Sequence, residues 1–214
     1  MNDWLLILTV LLETYFVGVL YLHVRPTRGR RIALSQRPRR ALLVLDMQSE
    51  FTGGNGYPKA DMQSLASRIA TLQAQFLARG DVVIQTRNTY TSPGLRLLVS
   101  LFAKGVGLSN SEVDERLTDE AVPVFDHRRS DAFSSRRLSR YLDENQIGEL
   151  LLCGLDTAFN LRLTAISAQE RGYRVVILDD LSISRTENRW PMLRDKLIKR
   201  GVRIERSSDQ SEAD

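Results

Sequence analysis

The stretch 149-ELLLCGLDTAFNLRLTAISAQERGYRVVILDD-180 decides how the rest of the chain is read. An apolar run over residues 150–153 stops at Gly154. A polar turn follows, then helical spacing over 158–171, then a second apolar run over 174–178. Continuous rather than alternating runs predict strands covered on both faces, and helices between such strands predict a parallel sheet. Ligands of such sheets sit beyond the carboxyl ends of the strands. The turn after Gly154 is therefore a candidate site. At the first turn of the following helix, where a nucleophile would be well placed, stands Asn160.

The pattern extends on both sides. Residues 41–46 (ALLVLD), 82–86, 121–125 and 202–205 read as further strands. Helical spacing recurs over 61–79, where Leu65, Ile69, Leu72 and Phe76 share a face and Gly80 marks the end, and over 95–102, 135–145 and 188–199. The expected architecture is α/β, a three-layer doubly wound domain with a mainly parallel sheet, spanning 41–206 and followed by a polar tail, 207–214. The strand-end rule adds Asp46 and the turn after Phe125 to the candidate site.

Charge separates this domain from what precedes it. The formal net charge is +4, yet seven arginines and no acid lie within 25–40. Without them 23 basic residues face 26 acidic ones, so the body is slightly acidic and no nucleic-acid partner is expected. Directly before the arginines, residues 4–24 read WLLILTVLLETYFVGVLYLHV. As a helix this would span about 31 Å, close to the hydrocarbon thickness of a bilayer. Trp4 and Tyr21 stand near its ends, where interfacial aromatics are common. The start, Met-Asn-Asp, lacks the positive charge and cleavage site of a secretory signal. An amphipathic surface helix would need a polar face. The expected organisation is a transmembrane anchor over 1–24, then a basic juxtamembrane linker over 25–40, exposed across 26–38. The positive-inside rule puts the domain in the cytoplasm, as a single-pass protein of the cell membrane. Glu13 at mid-bilayer costs roughly 2.5–3.5 kcal/mol. It is either tolerated in protonated form or contacts a second membrane helix.

Cys153 is the single cysteine, which excludes a disulfide framework within the chain and a cysteine-based zinc site. Within an apolar strand it reads as a core residue. The chain carries no P-loop and no Gly-rich dinucleotide fingerprint, so no cofactor is expected.

Three segments carry a resemblance: VLDMQSEF (44–51), HRRSDAF (127–133) and GLDTAFNLRLTAISAQERGYRVVILDD (154–180). In this order they resemble the motifs of the isochorismatase-like, or cysteine hydrolase, superfamily, over roughly residues 41–184. In that family a strand ends in Asp and is followed by Met-Gln and an acid-Phe pair. The second motif runs from Lys to Ser-Ala-Phe. The third has a Gly-x-x-Thr turn, the nucleophile, Thr-Ala, and a Gly-Tyr before the next strand. The resemblance implies an Asp, Lys and Cys triad whose thiolate attacks an amide or similar carbon. The Asp matches Asp46. The Lys falls on His127 and the Cys on Asn160, and both depart from the pattern. The resemblance further implies a small-molecule ligand surrounded by Gln48, Phe51, Arg129, Phe133, Gly154 and Thr157. It implies a strained cis peptide between Leu155 and Asp156. It also implies self-association through helices flanking the third motif, with Leu161, Leu163 and Ile166 available; the anchor offers a membrane-protein partner as the alternative. Some amidases of this superfamily bind a metal through a further Asp and paired histidines. The corresponding QTRNTYTSP (85–93) has no His, so no metal is expected.

An amide nitrogen is neither basic nor polarisable enough to replace a thiolate, so Asn160 leaves two readings. In one, the site is degenerate and the protein is a ligand-binding or assembly module at the membrane. In the other, it is a cysteine-independent hydrolase in which Asp46 acts as general acid or base on a small amide or vinyl ether, with Asn160 holding substrate or water. His127 either pairs with Asp46 or joins Arg128 and Arg129 in an exposed basic loop, one arginine then supplying the missing cation. FTGGNGYPK (51–59) forms a lid over the mouth or an ordinary surface loop.

Overall fold

The computed structural model describes residues 3–54, 56–89, 93–94, 97, 111–185 and 189–210. Its sheet comprises β1 (Arg39–Leu45), β2 (Val82–Asn88), β3 (Val124–His127), β4 (Ile147–Gly154), β5 (Arg174–Ser182) and β6 (Arg203–Glu205). The strands lie in the order β3-β2-β1-β4-β5-β6, and every pairing is parallel. The order reverses between β1 and β4, and at such a switch point the loops leaving neighbouring strands diverge and open a crevice.

The continuous apolar runs have a direct cause. Leu43, Leu45, Leu150, Leu152, Val175 and Ile177 point into one core, which also takes Leu138, Ala165 and Leu197 from the helices. Leu42, Val44, Leu151, Cys153 and Val176 point into a second core with Met62, Leu65, Ile69 and Phe76. Both strand faces are therefore dry. Helix α1 is Asp3–Val24, α2 is Ser49–Thr52 and α3 is Lys59–Ala78, which covers the second core. Helices α4 (Arg136–Glu144), α5 (Arg162–Glu170) and α6 (Trp190–Ile198) cover the first.

Several boundaries differ from the sequence reading. β3 runs two residues past the expected end because the chain turns at 121–123, where the Pro123 carbonyl accepts from the Gln85 amide. This places His127 within the sheet. β1 begins inside the expected linker, since Arg39 and Arg40 pair with Ile147 and Glu149 on β4. The helix expected over 95–102 lies outside the described residues apart from Leu97, as does Asn188 of the last helix. The tail does not leave the domain at 207: Ser207 donates through its amide and hydroxyl to Asp180 at 2.7 and 2.6 Å.

Helix α1 spans 22 residues and is long and apolar enough to cross a membrane. Trp4, Leu11 and Val17 are exposed, and Thr9 and Thr14 donate their hydroxyls to the carbonyls of Leu5 and Val10. Such internal satisfaction is what a helix in lipid requires of its hydroxyls. The last turn docks on the domain, with His23 buried and its carbonyl accepting from the Ser130 amide at 3.2 Å. The following residues are largely exposed, as expected of a linker, but they are tied to the domain as a strap. Thr27 donates from its amide and hydroxyl to Asp131 at 2.7 and 2.5 Å. Arg171 donates to the Thr27 carbonyl at 2.7 Å, and the Ile32 amide donates to the Arg171 carbonyl at 2.8 Å. Ile32 packs against the first core, and Arg37 pairs with Asp143 at 2.5 Å.

Candidate functional site

The site begins where β1 ends. Asp46 has φ 55°, a left-handed conformation unusual for a residue with a side chain. Its amide donates to the Thr86 carbonyl on β2 at 3.2 Å. The carboxylate then meets side chains from three neighbouring elements. His127 Nε2 lies 2.7 Å from Oδ1, the Thr86 hydroxyl donates to Oδ1 at 3.2 Å, and Asn160 Nδ2 donates to Oδ2 at 2.6 Å. A carboxylate offers about four acceptor positions, so three of the four are occupied.

His127 pairs with Asp46 rather than standing in an exposed loop. Its other nitrogen, Nδ1, faces the Arg129 carbonyl at 2.6 Å. A carbonyl only accepts, so Nδ1 carries a proton. When the imidazole is protonated, Nε2 donates to Oδ1. Asp46 and His127 are 2% and 1% exposed, so water contributes little. Burial pushes the His127 imidazole down. The Asp46 charge and hydrogen bond, with the Arg129 carbonyl, outweigh burial and raise it above the usual histidine value.

The third-motif turn is built to bring Asn160 to this pair. Gly154 has φ 106°, and a Cβ there would overlap the Leu45 carbonyl oxygen. Only glycine permits β4 to pass so close to β1, where the Leu155 amide donates to that same oxygen at 2.9 Å. Asp156 then caps the turn, accepting from the Ala158 amide at 2.9 Å, the Tyr57 hydroxyl at 3.2 Å and the Arg185 amide at 2.9 Å. The helix does not start at once, as the sequence suggested. Residues Thr157–Leu161 form a widened π-type turn, closed by the Leu161 amide on the Asp156 carbonyl, before α5 begins. Such π-type turns are frequent at functional sites. All described peptides are trans, so the cis peptide expected between Leu155 and Asp156 is not found.

The other expected residues divide. Thr157 is buried, and its hydroxyl has no partner among the described residues; the same holds for Asn88 Oδ1 and Ser130 Oγ. These oxygens sit on segments at or after the carboxyl ends of β4, β2 and β3. Gln48 ties two loops together: its amide nitrogen donates to the Ser111 carbonyl and its amide oxygen accepts from the Asn88 amide. Phe51 is stacked edge-on against Tyr57 and lies under the Arg185 guanidinium. Tyr57 thereby pins the Gly-rich loop to the third-motif turn, although Asn55 lies outside the described residues. Arg129 gives its carbonyl to His127 but sends its side chain into a separate arginine-rich cleft beside the strap. Phe133 is buried beneath Arg171, 4.6 Å from its ring centroid, and lines the same cleft. Leu161, Leu163 and Ile166, expected at a self-association surface, are all buried within the chain. Cys153 is fully buried in the second core, and burial pushes its thiol up, so it offers no nucleophile.

Sequence reading missed three residues. Thr86 was signalled only by its register opposite Leu45. Asp156 has the ordinary signature of an N-cap. Asp131 stands where the resembled motif has Ser, and that change is its signal. The extra carboxylate takes the strap's Thr27 together with the Ser167 hydroxyl, at 2.6 Å. Among the described residues no group of three His, Cys, Asp or Glu side chains is arranged to hold a metal ion.

Residues 40–209 match the family model described as the Isochorismatase domain. Among curated proteins, the chain is 25% identical over 152 residues to an uncharacterised isochorismatase family protein, PncA, of Bacillus subtilis (strain 168), covering 65% of this chain and 83% of that one. It is 24% identical over 178 residues to a nicotinamidase of Escherichia coli (strain K12), covering 67% and 82%. Among solved structures, it resembles the pyrazinamidase of Pyrococcus horikoshii in complex with zinc, with a TM-score of 0.65, 20% identity, and coverage of 79% of this chain and 99% of that one.

Proposed function

We propose, from the premise that the chain belongs to the isochorismatase family, that it is a membrane-anchored, non-hydrolytic member. It serves as a ligand-binding or assembly module on the cytoplasmic face of the cell membrane. One observation carries this reading: Asn160 Nδ2 donates to Asp46 at 2.6 Å, at the motif position of the nucleophile. A hydrolase of this design needs a thiol there, whose proton the carboxylate removes. A carboxamide in that place gives the carboxylate a hydrogen bond and nothing to activate. The unpartnered oxygens of Asn88, Ser130 and Thr157 support retention of a small polar ligand. The nicotinamidase relative makes nicotinamide the first ligand to try. The exposed apolar surface of α1, its internally bonded threonines and the arginines that follow support the anchor.

A second reading rests on the Asp46–His127 pair. With Nδ1 fixed by the Arg129 carbonyl, the pair gives the Nε2 proton to a vinyl ether as general acid, or, once that proton has left, takes one from a water that attacks a small amide. The deciding experiment incubates the full chain in a nonionic detergent, beside Asp46→Asn, with nicotinamide and with isochorismate, and follows products by chromatography. The expected result is no turnover in either protein, with nicotinamide raising the melting temperature of the unmodified chain. Turnover that disappears in Asp46→Asn would establish the hydrolase instead.

A further inference from the structure

We propose that the cleft between the strap and α4 binds the phosphate of an anionic membrane phospholipid. The cleft has a volume of about 790 Å³ and is lined by Arg25 and Arg28 of the strap, Arg129 after β3, Arg136 and Arg140 of α4, and Arg171 after α5. Against these six arginines the lining has one acid, Asp143, already paired with Arg37 at 2.5 Å. Among the described residues, none of Arg25, Arg28, Arg129, Arg136 and Arg140 forms an ion pair. Guanidinium groups gathered around one space repel each other and concentrate positive potential there. An anion relieves that repulsion. The planar fork of arginine matches the oxygens of a phosphate in particular.

Position selects the lipid over a soluble phosphate. Leu22, in the last turn of α1, lines this cleft, and Arg25 follows directly, its guanidinium 5.4 Å from the Tyr21 ring centroid. The inference rests on the membrane-anchor reading given above. If α1 crosses the bilayer, its last turn reaches headgroup depth, and the cleft opens where lipid phosphates lie. Leu22 and Phe133 add an apolar wall for the glycerol and the first acyl carbons, which inorganic phosphate lacks. The seven arginines of 25–40 then do more than set orientation, because part of the stripe is folded back by Thr27 to face α4.

The test uses the full chain in a nonionic detergent. Calorimetric titrations compare dihexanoyl phosphatidic acid, dihexanoyl phosphatidylcholine and inorganic phosphate. Phosphatidic acid should bind at least about ten-fold tighter than the other two, and more weakly as salt is raised. Arg136→Gln with Arg140→Gln should weaken it roughly thirty-fold, if each guanidinium contributes as a basic residue does at an anionic surface. Arg200→Gln, which follows α6 and does not line the cleft, should leave it unchanged. Arg136 and Arg140 are exposed, so the melting temperature without lipid should hold, and Arg140→Gln alone serves if the double variant does not fold. Equal affinity for inorganic phosphate overturns the lipid assignment. Equal weakening by Arg200→Gln, or none in the double variant, overturns the cleft. Alkaline extraction of membranes from cells making the full chain tests the anchor separately. A chain that washes off yet binds phosphatidic acid in detergent breaks only the anchor reading.

Discussion

The loop after β3 serves two polar regions of opposite character. On one side His127 faces Asp46, and every charge there is buried against a counter-charge or a hydrogen-bond donor. On the other, Arg129 joins a cleft of arginines that lack counter-charges. The difference follows from burial. A charge removed from water must be matched inside the protein, because an unmatched one costs several kcal/mol. A charge left at the surface has no such requirement and stays available to a ligand. The strand-end centre, with Asn160 at the motif position of the nucleophile, is a matched internal cluster, while unmatched charge is concentrated beside the apolar helix α1.

The comparison can be broken most directly at Asp46. Asp46→Ala should destabilise the folded chain by about 3–5 kcal/mol, since it removes at once the acceptor of His127, Thr86 and Asn160. Urea unfolding of the two proteins measures this, and a loss below 1 kcal/mol would mean the cluster is not internally matched (~1 kcal/mol is a neutral hydrogen bond). Asp131→Ala should cost about 2–3 kcal/mol by orphaning Thr27 and Ser167. It should also release the backbone of the strap, read as earlier trypsin cleavage after the already exposed Arg28, Arg30 and Arg31 in limited proteolysis. Asn160→Ala removes one hydrogen bond to the carboxylate and should cost about 1–2 kcal/mol.

The pH dependence sharpens the same comparison. His127 is raised in the folded chain, so its contribution to stability is complete below the unfolded histidine value of about 6.5. It declines as pH rises from there through the folded value. Melting temperatures should therefore fall across that range in the unmodified chain and stay flatter in His127→Gln. The smallest effect belongs to the cleft: Arg136→Gln should change stability by less than about 0.5 kcal/mol, because an exposed cation without a partner supports nothing in the fold.

Sequence by itself determined the parallel sheet, the family motifs, the apolar helix of anchor length and the loss of the nucleophile. These are local properties: continuous apolar runs, glycines at strand ends, the spacing of a few residues along the chain. Asp46 and Asn160 were legible as members of one site through the family motifs, but Asn160 was read as holding substrate or water, and its bond to Asp46 itself came from the adjacency of β1 and β4. Whether His127 paired with Asp46 or lay in an exposed loop was left open, because β3 is two strands away from β1 and its register was displaced by the turn at Pro123. Tertiary structure alone decided that pairing. It also turned Gln48 into a clamp between loops, sent Arg129 and Phe133 toward the strap, and buried Leu161, Leu163 and Ile166. Most of all, it folded an arginine-rich segment onto the domain through Thr27, Asp131 and Arg171, whose contacts join residues more than a hundred positions apart. Composition shows how much charge a segment carries; only the packing of distant elements decides which charges are cancelled and which are left facing a space.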